Sequence, residues 1–519
     1  MTARPRSLGF DRLIRSGVWD ASGQILQAAM TAVSLLVLVR ILGPEVYGQF
    51  AICLIVAGLA GVLVEGHMAD MLVQRDALDR RAIDATFTLI LGFALLCTAL
   101  MTGLSLPIAI FFNERELWPL IAVGASLPFL TAFSSVPVQL LIRRLQFPQL
   151  ALMTLVSAAA AMMVGIGLAM SGAGVWSLLA MEAVRRFVMA LAAADLANWT
   201  PRLSFERGAL AEAFSFAVRR IENLGAKYVA NILLPQTIIA QFLGTEALGL
   251  FTVARRLVEQ MTMVLSSPVT SVTFSAASRL KETRNQLAKL VLGGIQVTTW
   301  VFWPALAGAI IVAPLAVPIF LGDDWTGSAM VFAVLCYAAL RLPVMNFNEA
   351  IFKAKNELRV ITWIELLGAA LCFALILPGA VFAGLLGATA ALAARDWLLW
   401  PIGAWYIRRE TGVGLGQQLA TLAWAGFPTL LMAMPLAFIA HLFQVSGVNA
   451  IIQLATLIPL GIVFYGAVWT LLNPDPARNF FKRAASGRET ASQAPEGHWA
   501  LLQNTAPSTS IVRPFRPRA

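Results

Sequence analysis

Fourteen apolar stretches, each about 20 residues or longer, constrain this chain more than any other feature. A helix of that length spans the hydrocarbon core of a bilayer, where only helices and closed barrels satisfy all of their backbone polar groups. Because 59% of the residues are hydrophobic and 13% are charged, a water-soluble fold would leave much apolar surface uncovered. The stretches predict an all-α polytopic membrane protein with helices at about 16–39, 48–72, 85–112, 117–141, 149–171, 174–196, 213–241, 246–276, 287–320, 327–352, 358–380, 384–406, 419–441 and 447–472.

The charges between these stretches support the count of fourteen. Lys and Arg collect in the cytoplasmic loops of membrane proteins, and one set of alternate loops carries sixteen basic residues, whereas the other carries only Arg40 and Arg115. A missed or invented helix would break this alternation, so both termini are expected in the cytoplasm. The sixteen residues are Arg75, Arg80, Arg81, Arg143, Arg144, Arg202, Arg207, Arg279, Lys281, Arg284, Lys289, Lys353, Lys355, Arg359, Arg408 and Arg409.

Two short patterns, 201 residues apart, indicate an internal repeat. Residues 42–50 and 243–251 are identical at five of nine positions, and each segment lies between two apolar stretches. Both are expected to form the tight hairpin between the first two helices of a lobe. A second echo, at an offset of 210, matches Gly174 with Gly384 and Arg185 with Arg395. Duplicated lobes are typical of transporters that bind their substrate between the halves.

The repeat and the helix positions together predict six segments. The 47 residues after the last helix are rich in Pro, Ser and Arg and lack apolar periodicity, which is typical of a disordered tail. The segments are a cytoplasmic N-terminal segment (1–15), a first six-helix lobe (16–196), a cytoplasmic inter-lobe loop (197–212), a second six-helix lobe (213–406), a C-terminal helix pair (407–472) and a disordered cytoplasmic tail (473–519).

Polar residues form a stripe along the first predicted helix and another along the seventh. A polar group that faces lipid without a partner costs several kcal/mol, so both stripes are expected to line a shared cavity. The stripes are Asp20, Gln24, Gln27, Thr31 and Ser34 on the first helix, and Arg220, Asn223, Lys227 and Asn231 on the seventh.

Cations inside the second lobe predict an anion site. A basic residue in the bilayer is costly and is usually functional. Four of the five here have no acidic residue three or four positions away in sequence, and the fifth, Arg256, lies three positions before Glu259, which the spacing assigns to Arg255. Together with two asparagines of the seventh helix, they are expected to form a cationic substrate site for a phosphate-bearing or similarly charged ligand. This site comprises Arg220, Asn223, Lys227, Asn231, Arg256, Arg341 and Arg395.

Other charged residues inside the helices have partners at helical spacing. They are expected to form structural ion pairs within their own helices. These pairs are Glu182 with Arg185 and Arg186, Arg219 with Glu222, and Arg255 with Glu259.

Acidic residues of the first two predicted helices suggest a role in energy coupling. Asp20, Glu65 and Asp70 lie at the cytoplasmic half of these helices and are candidates to bind a proton or sodium ion. The alternative is that they extend to the lipid headgroups without a role in transport.

Several enzyme signatures are absent from the sequence. The three histidines are scattered, the four cysteines lie inside apolar stretches, and no Gly-Lys pair of a phosphate-binding loop occurs. We therefore expect a transporter without catalytic residues, metal, cofactor or nucleic-acid partner.

The hairpin motif resembles that of a known family. Arg40, Leu42, Gly43, Pro44, Tyr47, Gly48 and Phe50, followed by residues 72–75 (Leu-Val-Gln-Arg), are similar to the first two helices of the oligosaccharide and polysaccharide flippases. These flippases belong to the multidrug/oligosaccharidyl-lipid/polysaccharide (MOP) exporter superfamily, and the likeness extends over about residues 10–472.

The resemblance implies a bacterial inner-membrane flippase for a polyprenyl-diphosphate-linked oligosaccharide. Such a protein serves O-antigen, capsule or exopolysaccharide synthesis by alternating access, among membrane lipids and beside a polysaccharide polymerase and chain-length machinery. A lipid II flippase is one alternative, distinguished by its essentiality. An ion-coupled multidrug exporter is another, and it would favour an acidic, aromatic cavity. A membrane receptor or scaffold would need no internal polar stripes.

Overall fold

The computed structural model describes residues 10–64, 69, 71–74, 79–279, 284–355 and 357–472, with side chains apart from those of 10–25, 63, 73–74, 219–220 and 266–286. The predicted tail (473–519) therefore lies outside the described residues. Within them the secondary structure is helical, with no strand. The helices are α1 (Phe10–Ile41), α2 (Pro44–Val64), α3 (Met71–Gln74), α4 (Arg80–Gly103), α5 (Ser105–Phe111), α6 (Trp118–Gly124), α7 (Leu127–Arg143), α8 (Phe147–Met170), α9 (Val175–Leu196), α10 (Arg207–Tyr228), α11 (Leu234–Arg279), α12 (Arg284–Leu321), α13 (Gly327–Ala339), α14 (Leu342–Ala354), α15 (Leu358–Leu371), α16 (Leu377–Thr411), α17 (Leu415–Val445) and α18 (Ala450–Leu472).

The prediction of an all-α polytopic membrane protein is confirmed. Among the described residues, nine helical stretches are long and apolar enough to cross a membrane, or up to ten when the bent pair α13–α14 counts as one span. Two of the nine, Arg207–Leu265 and Leu358–Thr411, are 59 and 54 residues long, more than twice the roughly 20 residues that one crossing needs. Each is broken once, so each contains two of the predicted helices. With α1 and the more highly charged α9, every one of the fourteen predicted stretches has a helical counterpart.

Glycines set the breaks at the repeated positions. Gly244 interrupts α11 with a φ of 84°, and Gly384 interrupts α16 with a φ of 61°. Gly174, which matches Gly384 in the 210-residue echo, precedes α9 with a φ of 53°. Glycine adopts this left-handed region without the steric penalty of a Cβ atom. The echo therefore has a conformational reason, because both halves need a glycine at the same turn.

The two copies of the hairpin motif pack against each other. A Cβ atom added to Gly48 would lie 1.8 Å from the carbonyl oxygen of Thr245, and one added to Gly249 would lie 1.8 Å from that of Pro44. Each copy thus uses its second glycine to bring its backbone against the other copy. Nearby, the buried Phe50 and Phe251 belong to one core cluster with side chains from both halves of the chain. The repeated sequence therefore marks an interface between the halves.

The chain divides into two compact units. The boundary follows Gly461. The first unit contains both predicted six-helix lobes and α17, and the described part of the second is the end of α18, residues 462–472. The division of the first unit into two six-helix lobes remains a proposal from the repeat.

Candidate substrate cavity

Two adjoining hollows lie between helices of the first and second halves. The larger, of about 390 Å³, is lined by residues of α1, α2, α8, α9 and α11. The smaller, of about 240 Å³, is lined mainly by residues of α2, α9, α10 and α11. Leu54, Glu182, Arg256 and Glu259 line both hollows. We call the two together the substrate cavity.

Charged residues of α9 form one wall of the substrate cavity. Glu182 accepts hydrogen bonds from Arg185 at 2.6 Å and from Arg186 at 3.1 Å, so the predicted pairing within the helix is confirmed. Arg186 also donates to the hydroxyl of Thr131 on α7. These side chains line the cavity as well as pairing with one another. They therefore form the predicted ion pairs and also border the hollow, because residues one turn apart pair along the helix face that lies against it.

The opposite wall carries a matching cluster on α11. Arg255 donates to Glu259 at 2.7 Å, as the spacing predicts, and both residues line the smaller hollow. Arg256 lines both hollows and forms no ion pair within the described part of the chain. Its guanidinium lies 5.9 Å from the centre of the Phe50 ring, a cation–π contact. Four arginines thus face two glutamates, and the cluster has a net charge of +2.

The stripe on α1 is placed as the sequence predicts. Gln27, Thr31 and Ser34 all line the larger hollow, and Ser34 donates to the sulfur of Met181 across it at 3.6 Å. The side chains of Asp20 and Gln24 lie outside the described residues. The described part of the stripe gives the cavity neutral hydrogen-bonding groups beside its charged walls.

The stripe on α10 faces elsewhere. Asn223 donates to Thr362 at 3.2 Å, Lys227 forms an ion pair with Glu349 at 2.5 Å, and Asn231 donates to Glu365 at 2.7 Å. These three residues line neither of the two hollows, so their place in a cavity shared with the first stripe stays a prediction. They form instead a polar network with α14 and α15. The side chain of Arg220 lies outside the described residues.

Arg395 and Arg341 belong to the same internal network. Arg395 is 2% exposed and donates to the carbonyl of Ala230 at 2.6 Å and to the side chain of Asn231 at 2.9 Å. It also forms an ion pair with Asp396 at 2.5 Å, and Asp396 in turn pairs with Arg341. Both arginines therefore share one carboxylate, and neither lines the two hollows of the substrate cavity.

The partners of these cations are distant in the sequence. Glu349 lies 122 residues from Lys227, and Asp396 lies 55 residues from Arg341, so the spacing of residues along one helix does not reveal either pair. Of the predicted cationic site, Arg256 is the described member that faces the substrate cavity. The arginines of α9, which the sequence reasoning set aside as structural, supply most of the remaining charge.

Asn231 connects the internal network to the cavity wall. It lies in a π-helical turn, Val229–Leu233, between α10 and α11. Its backbone carbonyl accepts a hydrogen bond from Arg255, while its side chain contacts Arg395 and Glu365. Through Asn231, the network therefore positions Arg255 in the cavity wall.

The hairpins close one end of the substrate cavity. Tyr47 of the first hairpin lines the larger hollow and meets the ring of Trp325 edge to face at 5.5 Å. Trp325 donates to the carbonyl of Val39 at 3.0 Å, and Arg40 donates to the carbonyls of Phe320, at 2.9 Å, and Ile319 at the end of α12. We call these contacts, together with the Gly48 and Gly249 packing, the hairpin gate.

The candidate coupling residues fall outside the described part of the chain. This applies to Glu65 and Asp70 and to the side chain of Asp20. Their role therefore stays a prediction.

The fold is that of a known transporter class. A lipid II flippase in an inward closed conformation matches with a TM-score of 0.73 and 11% identity, over 88% of this chain and 99% of that one. A multidrug resistance MATE family transporter of the MOP superfamily, inward-facing, matches with a TM-score of 0.58 and 16% identity, over 76% and 98%. The chain therefore has the fold of the multi-pass membrane transporters of the MOP superfamily.

Its family follows from the sequence match. Residues 37–330 match the polysaccharide biosynthesis protein family, and the chain belongs to that family. The succinoglycan biosynthesis transport protein ExoT of Rhizobium meliloti is 23% identical over 94% of this chain and 97% of its own length. The lipopolysaccharide biosynthesis protein WzxC of Escherichia coli is 22% identical over 73% and 77%. The resemblance to polysaccharide flippases of the MOP superfamily is thereby confirmed.

Proposed function

We propose that this protein is a flippase for polyprenyl-diphosphate-linked oligosaccharide repeat units. It carries them across the bacterial inner membrane for the synthesis of O-antigen, capsule or exopolysaccharide. The observation that carries this proposal is the net charge of +2 on the paired walls of the substrate cavity, which α9 and α11 supply. The names of the relatives, which refer to succinoglycan transport and lipopolysaccharide biosynthesis, support the substrate class.

The chemistry of the cavity suits a diphosphate. Arginine binds phosphate oxygens as a two-pronged donor, and this contact strengthens where water is excluded. Before the substrate enters, Glu182 and Glu259 compensate part of the positive charge of the four arginines. Arg256, which has no carboxylate partner among the described residues, offers the first contact for the incoming anion.

The hairpin gate supplies the moving part of an alternating-access cycle. The loop charges predict that the hairpin end of the protein faces the periplasm, and contacts between the two halves close it. For the substrate to leave on that side, the backbones at Gly48 and Gly249 must separate from Thr245 and Pro44. The closed hairpins and the charged cavity together support an inward-loading state.

A methyl group at the gate is expected to hold it open. In Gly48→Ala the new Cβ lies 1.8 Å from a backbone oxygen that has no room to yield, so the closed state loses about 1–3 kcal/mol. That cost raises the open population about fivefold to a hundredfold and slows transport. The measurement is thiol labelling of a cysteine introduced at Pro44 in membrane vesicles.

Gly43→Ala is the matched control for this gate variant. It lies in the same hairpin, and an added Cβ there meets nothing within 4 Å. We expect labelling and glycan export as in the parent protein. Equal labelling in Gly48→Ala and Gly43→Ala would contradict the gate.

Reconstitution tests the proposed activity directly. Purified protein in proteoliposomes is expected to move a fluorescent lipid-linked oligosaccharide between leaflets, whereas Arg256→Ala protein moves it no faster than empty liposomes. The same assay with an imposed proton or sodium gradient tests the coupling expected at Asp20, Glu65 and Asp70. Equal rates for the parent protein and empty liposomes, under every gradient, would refute the proposal.

A lipid II flippase is the second candidate, because the structural likeness to such a protein extends over 88% of this chain. Lipid II carries the same diphosphate group, so the cavity charge does not separate the two substrates. Deletion of the gene separates the two candidates. Loss of the glycan from living cells supports the oligosaccharide flippase, whereas cell death supports the lipid II flippase. A multidrug exporter of organic cations is disfavoured by the positive cavity.

The remaining features of the proposal rest on the sequence. Both termini are placed in the cytoplasm by the loop charges, and contacts with a polymerase and chain-length proteins are expected from the family. The stretch 419–472 contains no Asp, Glu, Lys or Arg. We assign the C-terminal helix pair in this stretch to the polyprenyl chain of the substrate.

A further inference from the structure

A second cavity, separate from the substrate cavity, lies within the first half of the chain. It has a volume of about 420 Å³ and is formed where α4 begins and where α7 and α9 end. It shares no lining residue with either hollow of the substrate cavity. Because three of its lining residues are Arg80, Arg143 and Arg144, we call it the arginine pocket.

Hydrogen bonds to the protein hold these arginines in place. Arg143 donates to the carbonyl of Leu72 at 2.6 Å, and Arg144 donates to the carbonyl of Ala197 at 2.8 Å. Arg80 donates to the hydroxyl of Thr200 at 3.5 Å. Each guanidinium has five N–H donors, so one such bond orients the group and leaves donors for a ligand at Arg80 and Arg144. The acceptors of Arg80 and Arg144 are uncharged, so these hydrogen bonds do not cancel the positive charge of either arginine.

The charge balance of the lining is positive. Among the described lining residues Asp84 is the one acidic member against three arginines, and these four side chains sum to +2. The pocket also lies at the first turn of the 24-residue helix α4, where the helix dipole favours an anion. The lining therefore selects an anionic group that accepts several hydrogen bonds, as a phosphate does.

The position of the pocket indicates a membrane lipid as the source of that group. Its arginines belong to loops that the charge alternation assigns to the cytoplasmic side, at the ends of membrane helices and hence at headgroup depth. Trp199, a residue type enriched at this depth, forms one wall and packs edge to face on Phe87 at 5.0 Å. Basic pockets between membrane helices on the cytoplasmic side bind anionic headgroups.

We propose that the arginine pocket binds the phosphate group of a lipid in the cytoplasmic leaflet. This inference goes beyond the proposed transport activity and does not depend on it. Two lipids offer the same chemistry there: an anionic phospholipid, which would act as a bound structural lipid, and the diphosphate of a polyprenyl carrier before it enters the substrate cavity.

The test measures lipid binding by native mass spectrometry of the purified full-length protein. The variants are made in an Arg256→Ala background, so that the substrate cavity contributes less to binding and transport has no bearing on the result. Phosphatidylglycerol and undecaprenyl diphosphate are titrated separately against Arg144→Gln and Arg80→Gln. Both variants are expected to weaken binding of at least one probe by about tenfold, which is the effect of losing one charged hydrogen bond. The probe that is weakened identifies the source of the phosphate.

Arg81→Gln is the matched control. Arg81 is the neighbour of Arg80 on α4, so this substitution removes the same charge. The Arg81 side chain is 74% exposed, pairs with Glu206 at 3.8 Å and does not line the pocket. We expect it to change binding by less than about twofold. Unchanged binding of both probes in the pocket variants, or equal weakening in Arg81→Gln, would overturn the proposal. If Arg144→Gln lowers thermal stability, Arg80→Gln, with its long contact to one hydroxyl, decides the outcome.

Discussion

Replacing Arg256 with Ala is expected to abolish delivery of glycan to the cell surface while the amount of folded protein stays unchanged. Arg256 lines both hollows of the substrate cavity and has no ion pair among the described residues, so its charge is available to the substrate. Removing a charged hydrogen-bond donor costs about 1.5–3 kcal/mol of binding, which corresponds to a roughly tenfold to hundredfold slower transfer. Surface glycan is measured by immunoblot or lectin binding at matched protein abundance.

Two further variants sharpen this prediction. Arg256→Lys keeps the charge but loses the planar fork, so we expect intermediate export. Arg81→Ala removes an exposed charge far from the cavity walls and is expected to leave export normal. Normal surface glycan in Arg256→Ala would remove the cationic-cavity hypothesis. Arg220→Ala carries the same expectation from the sequence alone.

Replacing Asp396 with Ala is expected to remove most of the folded protein. Asp396 is the carboxylate that pairs with both Arg395 and Arg341, and these side chains are 2% and 14% exposed. Without it, two cations remain buried in the network around Asn231, and breaking such a pair costs about 3–5 kcal/mol. The measurement is protein abundance in membranes, together with the thermal unfolding midpoint in detergent.

Two controls separate the loss of pairing from the loss of a carboxylate. Arg341→Met removes one cation and leaves Asp396 with Arg395, so we expect a smaller loss of stability. Asp195→Ala removes an exposed acidic residue near the end of α9 and is expected to have little effect. Parental abundance and unfolding temperature in Asp396→Ala would show that the network does not stabilise the fold.

The helices and their breaks were predictable because they depend on local chemistry. A span needs only enough consecutive apolar residues, and a left-handed turn favours a glycine, as at Gly174, Gly244 and Gly384. The intrahelical ion pairs of Glu182 and Glu259 were likewise predictable, because their partners lie one turn away.

The assignment of cations to the site was only partly predictable. Arg256 was selected as a cation without a partner of its own in the sequence, and it lines the cavity, although Glu259, three residues further on, lines it too. Lys227, Arg341 and Arg395 met the same sequence criterion, yet the folded chain brings Glu349 and Asp396 to them. A helix presents partners one turn away whatever its surroundings, whereas a partner on another helix depends on how the helices pack.

The sequence by itself determined the membrane class, the fourteen predicted helices, the repeat and the family. Each of these follows from the order of residue types along the chain or from a match to other sequences. Only the tertiary structure decided what the repeat does: the two hairpins pack on each other and close the cavity, since glycine at Gly48 and Gly249 permits backbone contact. The tertiary structure also decided which arginines face the hollow and which pair with a carboxylate inside the second half. Ion pairing depends on distances of a few ångströms, and those distances are set between helices far apart in the chain.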